Sequence, residues 1–333
     1  MSLPIVVAGN LSLDDTVTPD GAFTAAPGGD ALYASLGMCA WGRTPVLLTL
    51  VGDDYPAAHL ERIAAAGVDV SHVRWTDGPT VHYRVTYRPD GSRSFEWIST
   101  EDRLLLTSPT PSDYGPLMGA IWLHVAAMPI EAQEAAVAAG RAAGVPISLD
   151  PHEEYVVGFE ARLASLIEGV AFMPSELEAR LLFPDLVAVD GLALGFAAAE
   201  RLDAWQPSLV AIKLGALGSI VRWRGRSVHV PAPVVPVVDP TGAGDAYCGG
   251  FVAGWLATAS PEVAAACGTI AAKETIGAFG AFSNNRARGA EERFARLTEM
   301  LVGPGRTGPD LGTSSLASAL ASIRDQLGIG PPA

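Results

Sequence analysis

Asp239-Pro240-Thr241-Gly242-Ala243-Gly244-Asp245-Ala246-Tyr247-Cys248-Gly249-Gly250-Phe251-Val252-Ala253-Gly254-Trp255 carries more information than any other stretch of this chain. A turn-forming Asp239-Pro240 leads into Gly242, Ala243 and Gly244, and Asp245 then opens an apolar run that reads as a helix. Glycines let a backbone come close to a ligand, and a helix N-terminus offers unpaired N–H groups with partial positive charge. Such a place suits an anion, most naturally a phosphate. A carboxylate beside a phosphate is repelled unless it has its own task, and the obvious task is taking a proton from a hydroxyl that attacks phosphorus. The plain alternative is that Asp245 is an ordinary helix cap.

Outward from this stretch, short β-rich runs alternate with helical ones, which predicts a mostly parallel sheet covered by helices on both faces. Strands are expected at 4–9, 46–51, 120–126, 145–149, 170–173 and 209–213. Helices are expected at 31–41, 57–66, 131–143, 161–166, 176–182, 194–205, 246–256 and 262–276, and a hairpin is expected around Arg224-Gly225-Arg226. One region breaks the rhythm: 80–88 and 92–98 alternate in strand fashion around Pro89-Asp90-Gly91, with Val81, Tyr83, Val85 and Tyr87 on one face and His82, Arg84, Thr86 and Arg88 on the other. By alternation alone this is either a cover for a site or a surface hairpin. Residues 303–309 read as a Gly/Pro linker, and 314–327 as a helix with Leu316, Leu320, Ile323 and Leu327 on one face, docked or frayed.

The 333 residues are 49% hydrophobic and 17% charged, with 22 Lys plus Arg against 36 Asp plus Glu and a net charge of −14. No Lys/Arg run offers a nucleic-acid surface. Cys39, Cys248 and Cys267 lack metal-ligand spacing and suit free thiols in a reducing, cytoplasmic setting. Neither a signal peptide nor a membrane span is visible. No GxGxxG follows the first strand, which makes a dinucleotide oxidoreductase a weaker rival; a Walker-type NTPase fails for want of GK[ST], and without a Ser-His-Asp spacing cue, CxxC or HExxH, hydrolase triads and structural zinc have no support.

The 239–251 segment resembles the C-terminal signature of the ribokinase-like, or PfkB-type, carbohydrate kinases. Val6-Val7-Ala8-Gly9-Asn10-Leu11-Ser12-Leu13-Asp14 resembles that family's first strand and sugar-binding acid. Pro27-Gly28-Gly29 resembles its N-terminal signature, and Val51-Gly52-Asp53-Asp54 its Val-Gly-x-Asp turn. The likeness runs over roughly residues 4–300. It implies a three-layer α/β sandwich with a small β lid near 80–98, to which parts of the N-terminal region are an open addition, hence a kinase domain at 1–302 with linker and tail at 303–333.

The resemblance also implies an ATP- and Mg²⁺-dependent kinase acting on a sugar, sugar acid or related polyol. Asp245 is then the base, with Gly242, Ala243 and Gly244 as the anion hole. Asp14, Gly28, Gly29, Asp30 and Tyr33 are the acceptor candidates, and Tyr33 stands where the family commonly has an asparagine. Lys213, Gly215, Gly218 and Thr241 are nucleotide candidates. Glu178 is a candidate for ordering Mg²⁺, although Ser175 and Glu178 equally make a capping box. Asp239 is a candidate for a monovalent cation such as K⁺. Arg84, Arg88 and Arg93 are acceptor anchors if they face the cleft, and solubilising charges otherwise. A homodimer paired through the lid is the implied assembly, to be judged by solution mass. The alternatives are a nucleoside kinase of the same family, with aromatics stacking on a base, and a silent ligand sensor.

Overall fold

Ile5, Val6, Val7 and Ala8 are all buried, with Ile5 and Val7 packed into one apolar cluster and Val6 and Ala8 into another. A strand buried on both faces belongs at the centre of a sheet covered twice. The computed structural model describes residues 3–18, 21–88, 93–186, 188–282, 289–302 and 313–330. Among them, nine strands form one sheet in the order β13 (Arg226–Val230), β12 (Ser219–Trp223), β11 (Leu209–Lys213), β10 (Ala171–Phe172), β9 (Ile147–Leu149), β8 (Trp122–Val125), β1 (Ile5–Ala8), β4 (Pro45–Gly52) and β5 (Val73–Thr76). Pairing is parallel from β11 to β5, and β12 and β13 add an antiparallel hairpin at one edge.

One face of the sheet packs on α1 (Asp30–Ala40), α2 (Ala57–Ala65), α8 (Ala243–Thr258), α9 (Pro261–Thr275), α10 (Ala290–Val302) and α11 (Thr313–Gln326). The other packs on α4 (Ile130–Ala142), α5 (Glu160–Ile167), α6 (Glu176–Leu182) and α7 (Gly191–Leu202). The expected sandwich is therefore present. The terminal helix α11 docks: Ile323 is fully buried, Leu316, Leu320 and Leu327 pack on the same core, and the Gln326 side chain donates to the Trp41 carbonyl. The expected linker at 303–309 lies outside the described residues.

A second sheet, β3 (Gly21–Gly28), β2 (Ser12–Thr18), β6 (Val81–Tyr87) and β7 (Arg93–Trp97), forms the lid. The sequence places β6 and β7 and leaves open a contribution from the N-terminal region, which β2 and β3 supply without having been located as strands. Segment 12–28 does not announce two strands, because paired aspartates and a run of alanine, proline and glycine dilute its alternation. Pro19-Asp20-Gly21, the same tripeptide as Pro89-Asp90-Gly91, is the signal that exposes it. The Val51–Asp54 turn anchors the start of β6, since Asp54 accepts from the Thr80 amide at 2.7 Å and the Thr80 hydroxyl accepts from the Gly52 amide at 2.9 Å. Where the chain leaves β1, the Asn10 amide donates to the Leu104 carbonyl of α3 (Arg103–Leu106) and to the Thr107 hydroxyl.

Candidate active site

Because β1, β9, β10 and β11 run parallel, their carboxyl ends meet at one edge of the sheet, where ligands of open α/β sheets bind. A cavity of about 790 Å³ lies there. Its walls include Asp30, Asp150, Glu178, Lys213, Gly215, Gly218 and the whole run Pro240–Asp245.

Gly242 caps α8 with φ of 72°, a left-handed conformation that glycine adopts without strain. A β-carbon built on it would collide with the ring of Tyr33, which is 4% exposed. The Ala243 amide bonds the Pro240 carbonyl at 3.3 Å, and the next donation in this turn is from Ala246 to Gly242 at 2.9 Å. The amide of Gly244 has no carbonyl partner among the described residues, as expected of a first helical turn opening on a ligand. Gly242→Ala is expected to cost about 1–3 kcal/mol from the backbone alone, with the ring collision adding to it. Urea unfolding of the single variant and of Gly242→Ala/Tyr33→Ala separates the two parts.

Asp245 sits in that same turn, half-buried on the cavity floor. Burial raises its pKa to about 7; the nearby Asp150 carboxylate adds to the rise and Lys213 opposes it. Asp30 is pushed well above the carboxylate range, first by burial and then by Asp245, Asp150 and Asp14. Asp14 is raised to about 6, again chiefly by burial, while the Ser12 hydroxyl donates to it at 2.7 Å. Its carboxylate lies over Gly28, in space that any side chain there would take, and Gly29 leads directly into α1. Tyr33 keeps its phenol proton, held by burial and by the field of Asp14, Asp239 and Asp245.

Lys213 is not the surface charge that a strand-end lysine suggests. Its ammonium donates to both oxygens of Asp150, at 2.6 and 2.5 Å, and lies 3.6 Å from the Cys248 sulfur. Burial works against its charge, but Asp150 and the other neighbouring acids outweigh burial and hold its pKa above the ordinary lysine value. A β-carbon on Gly244 would lie 3.4 Å from Nζ, so the ammonium lies against the glycine turn that opens α8. The sequence reading puts Asp150-Pro151-His152 at a strand end on the ligand edge without giving Asp150 a role; its pairing with Lys213 is what the structure adds.

The remaining candidates divide. Gly215 and Gly218 flank a tight turn on the cavity wall, with φ of 55° and 92°. Ser175 and Glu178 form the capping box of α6: the serine hydroxyl accepts from the Leu177 and Glu178 amides, and Glu178 accepts from the Ser175 amide at 2.5 Å. Asp239, 3% exposed, accepts from the Tyr87 hydroxyl at 2.6 Å, the Thr241 amide at 2.9 Å and the Gly280 amide at 3.5 Å. Three protein donors thus occupy the carboxylate expected to hold a monovalent cation. Among the described residues no three His, Cys, Asp or Glu side chains converge as a metal cage.

The lid's two faces have separate jobs. The register aligns Asp14 with Tyr83 and Tyr83 with Trp97, and the two rings lie 4.3 Å apart. Tyr87, on the same face, clasps Asp239 and Thr241 and meets the ring of Phe279. Arg84 lies on the opposite face, where it pairs with Asp15 at 3.2 Å and Glu96 at 3.4 Å, and Arg88 donates to Ser94. Neither is an acceptor anchor, and the side chain of Arg93 lies outside the described residues. His124 is a core histidine: fully buried, bonded to the Ser148 hydroxyl, and lowered to about 3 by burial. Among the described residues no disulfide joins Cys39, Cys248 or Cys267, and no helix is long and apolar enough to cross a membrane.

The family profile described as "pfkB family carbohydrate kinase" matches residues 5–288. A cytidine kinase of Thermococcus kodakarensis is 29% identical over 287 residues, spanning 84% of this chain and 99% of that protein. A fructokinase of Klebsiella pneumoniae is 28% identical, spanning 84% and 93%. The structure of Arabidopsis thaliana ribokinase complexed with ribose and ATP superposes with a TM-score of 0.71 at 21% identity, covering 89% of this chain and 99% of that one, which shows a shared fold.

Proposed function

The chain belongs to the pfkB family of carbohydrate kinases, phosphotransferases that act on alcohol groups, and from that premise we propose that it moves the γ-phosphoryl group of ATP to a hydroxyl of a sugar-like acceptor with Asp245 as base. The observation that supports this is the half-buried Asp245 in the first turn of α8, where Gly242, Ala243 and Gly244 line the same cavity. Asp245 takes the hydroxyl proton as the acceptor oxygen bonds to the γ-phosphorus. The bond from that phosphorus to the bridging oxygen breaks, and ADP leaves with the electron pair. The anion-hole amides and the ammonium of Lys213 stabilise charge on the transferring group.

Magnesium, when bound, neutralises phosphate charge. Glu178, at the cavity wall with one oxygen on the Ser175 amide, suits ordering the water around an ion that arrives with the nucleotide. Asp14, Asp30 and Tyr33 hold the acceptor. The lid clasp of Tyr87 on Asp239 and Thr241 shuts the site against water. Tyr87→Phe is accordingly expected to raise ATP hydrolysis without acceptor severalfold, while acceptor-dependent kcat falls less than tenfold. Hydrolysis unchanged from the parent would show that the clasp plays no part in closure.

A nucleoside acceptor is the second reading, favoured by the Tyr83–Trp97 pair in register with Asp14 and by the cytidine kinase relative. Both readings meet one test: ADP release with Mg²⁺ across free sugars, polyols, sugar acids, sugar phosphates and nucleosides, beside an Asp245→Asn control. Acceptor-dependent turnover that collapses in the control establishes the kinase and its substrate class. Nucleotide binding with no turnover across the panel favours a sensor.

A further inference from the structure

The hydroxyl of Tyr87 joins the lid to the body at one carboxylate. It donates to Asp239 Oδ1 at 2.6 Å and, with its proton spent there, accepts from the Thr241 hydroxyl at 3.1 Å. The Thr241 amide donates to the same Oδ1 at 2.9 Å, and the Gly280 amide reaches Oδ2 at 3.5 Å. The backbone is held as well: the Ile276 carbonyl, at the C-terminus of α9, accepts from the Val238 and Asp239 amides at 2.8 and 3.2 Å. Phe279 then meets rings from two lid strands, its centroid 5.8 Å from that of Phe23 on β3 and 6.2 Å from that of Tyr87 on β6.

A hard cation is held by lone pairs of carboxylate and carbonyl oxygens. A backbone carbonyl offers two such pairs and a carboxylate about four, two on each oxygen. The Ile276 carbonyl spends both on amides, and Asp239 Oδ1 spends both on a phenol and an amide. These oxygens are engaged by the protein's own hydrogens, so among the described residues the site does not fit the monovalent cation that the family likeness implies.

An ion bound beside a loop fixes that loop, and the phenol can do the same. Thr241 leads directly into Gly242, the N-cap of α8, whose backbone lies against the Tyr33 ring. Gripping Asp239 and Thr241 therefore fixes the approach to the glycine turn. The phenol carries no charge, so it replaces the ordering that an ion gives and not its field.

We propose that Tyr87 takes the place of a monovalent cation at Asp239, so that lid closure and not ion binding orders the Gly242–Gly244 turn, and the chain works without K⁺. Tyr87 is a positioning residue in this role, acting through Asp239 and Thr241.

The test compares K⁺ with tetramethylammonium, which is too bulky to be ligated by packed oxygens, as chloride salts of equal concentration, with ATP supplied as its Tris salt. Acceptor-dependent kcat is one readout. The other is the thermal midpoint of the full chain without nucleotide, which rises when an ion binds the folded state alone. The rates rest on the kinase reading above; the midpoints do not.

The parent is expected to differ less than about twofold in kcat, and less than about 2 °C in midpoint, between the two salts. Tyr87→Phe frees a lone pair on Oδ1 and keeps the ring on Phe279. It is expected to run roughly three- to tenfold slower than the parent in tetramethylammonium, with K⁺ restoring at least half of the loss and raising its midpoint by about 2 °C or more. A parent that exceeds either limit in K⁺ overturns the proposal, because an ion then binds despite the phenol. So does a Tyr87→Phe protein as fast as the parent in tetramethylammonium, or one that is slow and indifferent to K⁺ in both readouts. If the variant does not fold, the two parent comparisons decide alone. If no acceptor is turned over, the kinase reading falls and the midpoints of the two proteins still decide.

Discussion

Asp245→Asn is expected to lower kcat by roughly 10²–10⁴-fold, the usual worth of a positioned base, with little change in ATP affinity. The amide keeps the shape of the first turn of α8 and cannot accept the proton. With a pKa raised to about 7 by burial and by the Asp150 carboxylate, Asp245 predicts an acid limb in the rate profile of the parent. The sign follows from the role. A base works deprotonated, so kcat is flat above that value and falls about tenfold for each pH unit below it. The variant should lose the limb along with the rate. Residual turnover that keeps the same limb would move the base to another acid of the cavity, with Asp30 the first to test. Circular dichroism and urea midpoints of the two proteins should coincide, which separates lost chemistry from lost structure.

The second large effect is on stability. Lys213→Met leaves the carboxylate of Asp150, 4% exposed, without its ammonium. Breaking a buried pair by removing one partner typically destabilises by about 3–5 kcal/mol, because the remaining charge is left desolvated. Removing both charges in Lys213→Met/Asp150→Leu should recover most of that loss.

The pH dependence has a definite sign. Burial already raises the folded-state pKa of Asp150, and Lys213 holds it down. Without the lysine the value rises further. A carboxyl raised on folding favours the folded state at low pH and loses that contribution as pH climbs through the folded value. The single variant should therefore be least stable at alkaline pH and regain stability on acidification. The acid limb of kcat should also move to higher pH, because Asp245 loses a neighbouring cation. A Lys213→Met protein as stable as the parent, with an unmoved limb, would reduce the pair to packing.

Legibility differed with the range of the interaction that decides each feature. The glycine turn that opens α8 is written within seven residues, Asp239–Asp245, because the glycines, the proline and the acid act on the backbone next to them. The alternation of 81–87 correctly assigns the faces of β6, because strand period is a local property. Ser175 and Glu178 announce their capping box for the same reason. Which lid face meets the cleft is not a local property. It is decided by Tyr87 reaching Asp239 across 152 residues, and with it Arg84 is turned to the side of Asp15 and Glu96.

By itself, then, the amino-acid sequence determined the alternation of strands and helices, the both-faces-buried central strands and the glycine turn with its acid. Each follows from backbone freedom, side-chain period and apolar pattern over a few residues. Only the tertiary structure decided that Lys213 is a buried partner of Asp150, 63 residues away, and that Asp239 is held by Tyr87 and Thr241. It also decided which N-terminal residues, 12–28, join the lid. Those outcomes depend on which parallel strands end side by side and on what each charge meets once water is excluded, and both are properties of the assembled sheet.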